Sequence, residues 1–190
     1  MTALLKSLFA ALLVTAGTSA FAQTATDSNG LSVGTPAQPA PYVKDTYGDW
    51  QLRCLDTGAE TDPCQLYQLL MDADGNQVAE VSIFSLPAGG RAALGANIVA
   101  PLETLLTQGI VISVGESEPR RFTFTFCNPG GCVARVGFTQ EEVDQFKSGS
   151  VAKVTLVPLS NPNAPVVLDM SLAGFTAGVD AIPPAPAANN

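Results

Sequence analysis

Four cysteines and a handful of arginines are the residues here whose types and spacing could do chemistry. Cys54 and Cys64 bracket a ten-step loop, and Cys127 and Cys132 bracket Asn128-Pro129-Gly130-Gly131. Three chemistries use such cysteines: redox exchange, metal binding and covalent stapling. A thioredoxin-like site places two residues between its cysteines at a helix start; here four intervene, between segments of β pattern. A zinc site of four thiolates usually carries Cys-x-x-Cys knuckles, which are missing. Stapling remains. The spacing favours the two local pairs, Cys54 with Cys64 and Cys127 with Cys132. Chain-entropy arguments give about 3 kcal/mol for the first loop and about 2 kcal/mol for the second.

Histidine is absent. That removes Ser-His-Asp and Cys-His catalysis, histidine general bases and histidine metal ligands together. The acids give no catalytic or metal residue either. Glu141 and Glu142 fit a helix cap. Asp72 and Asp74 lie in a short turn without the other ligands of a calcium loop. The reading is of no cofactor, no metal and no catalytic residue.

The candidates for binding are Trp50, Arg53, Arg121 and Arg135. Trp50 shares a strand face with Leu52 and Cys54, so core packing beside a disulfide is the first reading and ligand stacking the second. The three arginines fall on the solvent faces of their strands. Together on one sheet face they would make an anion or glycan site; the commoner use is pairing with the abundant acids.

The elements that position these residues are short β segments between turn signals. WQLRCL (residues 50 to 55) alternates, with Trp50, Leu52 and Cys54 on one side. CQLYQLLM and QVAEVSIFSL flank Asp72-Ala73-Asp74-Gly75-Asn76 and read as a hairpin. IVISVG suits a central strand. RFTFTFC (121 to 127) alternates most clearly, and its Phe122, Phe124 and Phe126 are expected on one buried face. CVARVG, VAKVTLVPL and PVVLDMSL add strands. Thr139-Gln140-Glu141-Glu142 has the Thr-x-x-Glu form of a capping box, so a helix starts there and stops at Gly149. A second short helix is expected at FTAGVDAI. The stretch from Pro87 to Gly109 shows only a turn of helix at LETLL. The predicted fold is mainly β: an antiparallel β-sandwich or flattened barrel with one or two short helices and two local disulfides.

The chain has 190 residues and a formal net charge of −8. Lys6, the apolar run Leu8 to Gly17 and Ala20-Phe21-Ala22 form a signal peptide over residues 1–22, with the cut after Ala22. Residues 23–43 read as a flexible leader, 44–182 as one β domain and 183–190 as a disordered tail. No cysteine follows the cut to carry a lipid, and no later segment is long and apolar enough to cross a membrane. Stable membrane insertion after cleavage is therefore not expected. The acidity argues against nucleic acid and against anionic membrane surfaces. The expected location is periplasmic or secreted.

An ordered set of short motifs resembles the invasion-associated locus B family. It begins with Tyr47-Gly48-Asp49-Trp50, then Cys54 and Cys64-Gln65. Ala100-Pro101-Leu102, Leu106 and Gly109-Ile110 follow. The Cys-Asn-Pro-Gly-Gly-Cys turn, Phe146-Lys147-Ser148-Gly149 and Ser171-Leu172-Ala173-Gly174-Phe175 complete it. The resemblance runs from about Tyr47 to Ile182. It departs at Glu103, where the family often has glycine, and at Tyr47, where phenylalanine is common. The resemblance implies a small exported protein of Gram-negative bacteria, at the periplasm or outer envelope, in a virulence-associated family without an established activity. The function expected is non-enzymatic binding of another envelope protein or a surface glycan. The alternatives are a periplasmic carrier of a hydrophobic ligand, favoured if the three-Phe face lines a cavity, and a carboxylate-dependent hydrolase.

Overall fold

The computed structural model describes residues 39–185. The signal segment, most of the leader and the last five residues lie outside them. Within the described residues are strands β1 (Pro41–Tyr47), β2 (Trp50–Leu55), β3 (Cys64–Met71), β4 (Gln77–Ser85), β5 (Leu94–Ala100), β6 (Ile110–Val114), β7 (Arg120–Phe122), β8 (Phe126–Asn128) and β9 (Gly131–Phe138). A 3-10 turn (Leu106–Gln108, beginning at the last residue of the turn expected at LETLL), helix α1 (Gln140–Ser148), strands β10 (Val151–Leu156) and β11 (Val166–Ser171) and helix α2 (Phe175–Asp180) complete them. Every strand pairing is antiparallel. Seven strands form one sheet in the order β1-β2-β3-β4-β5-β9-β8, and four form a second in the order β11-β10-β6-β7. The sheets are open, so the sandwich form of the prediction holds.

Period-two patterning explains the layering. In β2, Trp50, Leu52 and Cys54 are buried while Gln51, Arg53 and Leu55 are partly open. The inward residues of both sheets and helices form one apolar cluster. An edge-to-face run of rings crosses it. Trp50 meets Phe175 at 5.7 Å between centroids, Phe175 meets Phe146 at 5.6 Å, and Phe146 meets Phe138 at 4.9 Å. These contacts join β2, α2, α1 and β9, so the helices are seated by aromatic packing. The Thr139 capping box is present: Thr139 Oγ1 accepts the Glu142 N–H, and Glu142 accepts the Thr139 N–H.

Three expectations change. RFTFTFC is not one strand. Its first part, β7, belongs to the four-stranded sheet, and its last part, β8, to the seven-stranded one. The chain crosses between the sheets at residues 123–125, and the alternation loses its phase there. Phe122 and Phe124 pack against the core, whereas Phe126 is 44% exposed. The leader ends earlier than residue 43, because Pro41 to Val43 already belong to β1. Strand β5 was hidden in the Pro87 to Gly109 stretch, where Gly95 breaks the pattern. Phe84 lies opposite Gly95, and a Cβ on that glycine would sit 2.3 Å from the Phe84 ring. The glycine makes room for the ring.

Candidate functional site

Both local disulfides form. Cys54 and Cys64 face each other across β2 and β3, and Cys127 and Cys132 across β8 and β9. Among the described residues no cysteine is free. The cysteines are staples, and the first closes a loop that β1 also holds. Asp62 in that loop accepts the Thr57 N–H at 3.1 Å and the Tyr42 hydroxyl at 2.8 Å. These bonds, the Thr57 N–H first, hold the Asp62 carboxyl below its ordinary value. The same bond to Asp62 pushes the Tyr42 phenol up.

Trp50 is fully buried, and its Nε1–H donates to the Ser171 carbonyl at 2.8 Å. It joins the sheets and offers no face to a ligand, so it leaves the list of binding candidates. Beside it, the buried Gln68 donates to the Ser171 carbonyl at 3.0 Å and accepts the Ser171 N–H at 2.8 Å. Asp49 accepts from the Ser171 hydroxyl. This seam binds β2 and β3 of one sheet to β11 of the other.

Arg53 stands on the outer face of the seven-stranded sheet. Its Cζ lies 3.3 Å from the centroid of the Tyr67 ring. Its Nε–H and an Nη2–H both donate to Gln51 Oε1, at 3.0 and 2.8 Å. Gln51 and Tyr67 are themselves paired across β2 and β3. The guanidinium is thus fixed by two neutral groups, a ring beneath and an amide on one edge. Its Nη1/Nη2 edge carries further N–H donors and has no partner among the described residues. Burial pushes the Tyr67 phenol up, with the Glu80 carboxylate adding to the effect.

Two open grooves meet at Arg53. One, of about 520 Å³, follows the seam and is lined by Asp49, Gln51, Tyr67, Leu69, Met71 and Asp169 among others. The second, of about 1000 Å³, is mostly apolar and runs past the Cys54–Cys64 loop to Pro183 and Pro184. By contrast, a recess of about 10 Å³ beside Phe122, Phe138 and Phe146 has no room for an organic ligand.

The other two arginines are elsewhere. Arg135 is exposed on β9, four strands from Arg53 and so roughly 19 Å away across the sheet, with Cζ 5.8 Å from the Phe126 ring centroid. Arg121 belongs to the four-stranded sheet, where it donates to the Gln108 carbonyl. A shared three-arginine site is therefore overturned. So is pairing with acids, since none of the three forms an ion pair among the described residues; Arg120, instead, reaches Glu142. Of the weighed acids, Glu142 closes the Thr139 cap and Asp72 closes its own turn. Asp72 accepts from the Asn76 amide and from the Asn76 and Asp74 N–H groups, which holds its carboxyl below the ordinary value. Asp169 pairs with Lys153.

Sequence reasoning missed Gln51, Tyr67 and Gln68. Gln51 and Gln68 left signals: Gln51 shares the open face of β2 with Arg53 by alternation, and Gln68 is the one polar residue between Leu66 and Leu70 on the buried face of β3.

With this geometry in view, comparison with known proteins is decisive on family. The family model described as Invasion associated locus B (IalB) protein matches residues 50–183. The chain belongs to the invasion-associated locus B family. Two invasion protein B homologues, from Brucella abortus strain 2308 and from Brucella abortus biovar 1 strain 9-941, are each 31% identical over 143 residues, which is 75% of this chain and 80% of each relative. The crystal structure of invasion associated protein b from Bartonella henselae has the same fold, with a TM-score of 0.59 and 20% identity over 70% of this chain and 91% of that one. The matched region of this IalB-family chain contains Trp50, Arg53, both disulfides and the Gln68–Ser171 seam. Among its described residues no helix is long and apolar enough to cross a membrane. Its two disulfides fit an oxidising compartment.

Proposed function

We propose that this IalB-family protein is exported to the periplasm or beyond and acts without catalysis. In this reading it binds another envelope protein or cell-surface component through the outer face around Arg53. The observation that carries the proposal is the Arg53 guanidinium: fixed by Gln51 and Tyr67, free of any acid among the described residues, and open to two grooves. Surface arginines with no task are usually mobile or paired with acids. One clamped by neutral groups with an edge left open is prepared for an anionic group of a partner.

The test uses the mature, oxidised protein. It is crosslinked in intact cells, captured, and the captured material identified by mass spectrometry beside an Arg53→Gln variant. A component enriched by the native chain and depleted by the variant supports the reading; equal capture by both removes Arg53 from it. Cell fractionation with N-terminal sequencing checks export. A first residue of Gln23 is expected, and retention of residues 1–22 in the cytoplasm would contradict it.

A second reading is a carrier of a hydrophobic ligand, favoured by the apolar groove beside Leu55, Pro63, Phe84 and Pro183. Native mass spectrometry of gently purified protein tests it. A lipid carried in stoichiometric amount supports it, and lipid-free protein removes it.

A further inference from the structure

The four-stranded sheet has a long edge that is left open. Ser171 uses its backbone N–H and C=O toward the other sheet, not toward β10. Backbone groups alternate along a strand, so Asp169 and Val167 turn theirs the same way. Those groups have no hydrogen-bond partner among the described residues. The other edges are blunted. Strand β1 carries a bulge between Val43 and Asp45 together with Pro41 and Lys44. Strands β7 and β8 are three residues each. Strand β11 has six residues in unbroken register with β10, and it contains no proline, glycine or lysine. An edge of that kind is a template for another strand.

The groove beside it specifies what that strand carries. Asp169 lines the same groove as Arg53, Leu69 and Met71, and Met71 is 48% exposed. Both acids of the groove are served from within the chain, Asp49 by the Ser171 hydroxyl and Asp169 by Lys153. The open edge of Arg53 is the groove's one cationic group, and it has no acid partner among the described residues. A sugar would seek an aromatic face, but the Tyr67 ring is covered by Arg53. A peptide finds all it needs: free backbone groups on β11, apolar footing at Leu69 and Met71, and a guanidinium for a carboxylate. Gln68 already supplies a side-chain amide to this edge at Ser171, one step further along.

We propose that the seam groove docks an extended acidic peptide segment of a partner protein, which pairs with the β11 edge and places a carboxylate on Arg53. This rests on the reading of Arg53 above and names the partner's chemistry.

The probe is a pool of short synthetic peptides of alternating valine and threonine, each with one glutamate, acetylated and amidated at the ends. It is titrated into the mature oxidised protein and followed by NMR. Saturable shifts are expected at the Val167 and Asp169 amides and the Arg53 guanidinium. Glutamine in place of the glutamate, or Arg53→Gln in the protein, should weaken binding about tenfold or more, the worth of a charge-assisted hydrogen bond. Val167→Pro removes an edge donor without touching the β10 ladder and should weaken binding similarly. If that variant does not fold, peptides N-methylated at alternate residues measure the same loss on the native chain. No saturable binding at about 1 mM peptide, or binding with the β11 amides unmoved, overturns the proposal. Two other outcomes also overturn it: a homodimer with the β11 amides in its interface, and polygalacturonate binding through Arg53 alone. Failure here is separable from failure of the broader reading. Cellular capture lost with Arg53→Gln but kept with Val167→Pro overturns only the peptide edge, and capture kept with both overturns both.

Discussion

Gln68 pairs through its side-chain amide with both backbone groups of Ser171 on the opposite sheet, at 3.0 Å to the carbonyl and 2.8 Å from the N–H. One side chain thus does the work of a strand residue and closes the seam of an open sandwich. Changing it to leucine keeps the volume but leaves the Ser171 N–H without its partner. The expected cost is about 1 to 3 kcal/mol in urea unfolding. Trp50→Phe removes the other donor to the same carbonyl, and the two changes should couple in a double-mutant cycle because they share Ser171. A loss under about 0.5 kcal/mol for Gln68→Leu would mean that apolar packing alone holds the seam.

The two disulfides should differ in worth. The first closes a sequence separation of 10 and the second one of 5. Loop-closure entropy therefore predicts about 3 kcal/mol lost on removing the Cys54–Cys64 bond and about 2 kcal/mol on removing Cys127–Cys132. Paired Cys→Ala variants, unfolded by denaturant, give the ranking. Each bond has one buried cysteine, Cys54 and Cys132, so the cavity left by alanine is similar in the two and a reversed order would show that the chain-entropy account is wrong for this protein.

Most strands were legible because their patterns are local. The β2 and β3 boundaries, the β3–β4 hairpin and the α1 capping box follow from alternation, turn residues and a four-residue cap. What failed depends on partners distant in sequence. Phe126 obeys the period of RFTFTFC, but its strand changes sheets, and a period cannot show which sheet a residue joins. The sequence pattern of β5 is interrupted by Gly95, whose reason is the Phe84 ring on β4. Arg53 was picked out as a wet-face arginine. Its clamp is only half visible in sequence: alternation along β2 puts Gln51 on the same face, but Tyr67 becomes a neighbour only through β2–β3 register. Grouping it with Arg121 and Arg135 failed for the same reason, since face assignment within a strand says nothing of distance between strands.

Gly48 and Gly174 meet where the β1–β2 turn touches the start of α2, both at positive φ (57° and 83°). A Cβ on Gly174 would lie 2.1 Å from the Tyr47 carbonyl oxygen, and one on Gly48 would lie 2.4 Å from that of Ala173. These neighbours are backbone and cannot swing aside. Gly174→Ala should cost about 3 kcal/mol, combining left-handed strain with overpacking. Gly75→Ala is the control: its φ is also positive, at 82°, but nothing lies within 4 Å. It should lose only the backbone-strain part, about 1 kcal/mol. Equal losses for the two in thermal unfolding would sink the close-contact explanation.

The Tyr42–Asp62 clasp over the first disulfide loop should hold within a pH window. Asp62 has a lowered folded value, so its contribution is present above the ordinary carboxylate range and is lost as pH falls through the lowered value. Tyr42 has a raised folded value, so its contribution is present below the ordinary phenol range and is lost as pH rises through the raised value. Between these limits the Thr57 amide, which donates to Asp62, should be protected from hydrogen exchange. Tyr42→Phe should move the Asp62 titration part of the way back up, because the Thr57 N–H, the larger cause, remains. An NMR titration of the Asp62 carboxyl reads this directly. A native Asp62 that titrates at or above the ordinary carboxylate value would show that β1 does not clasp the loop.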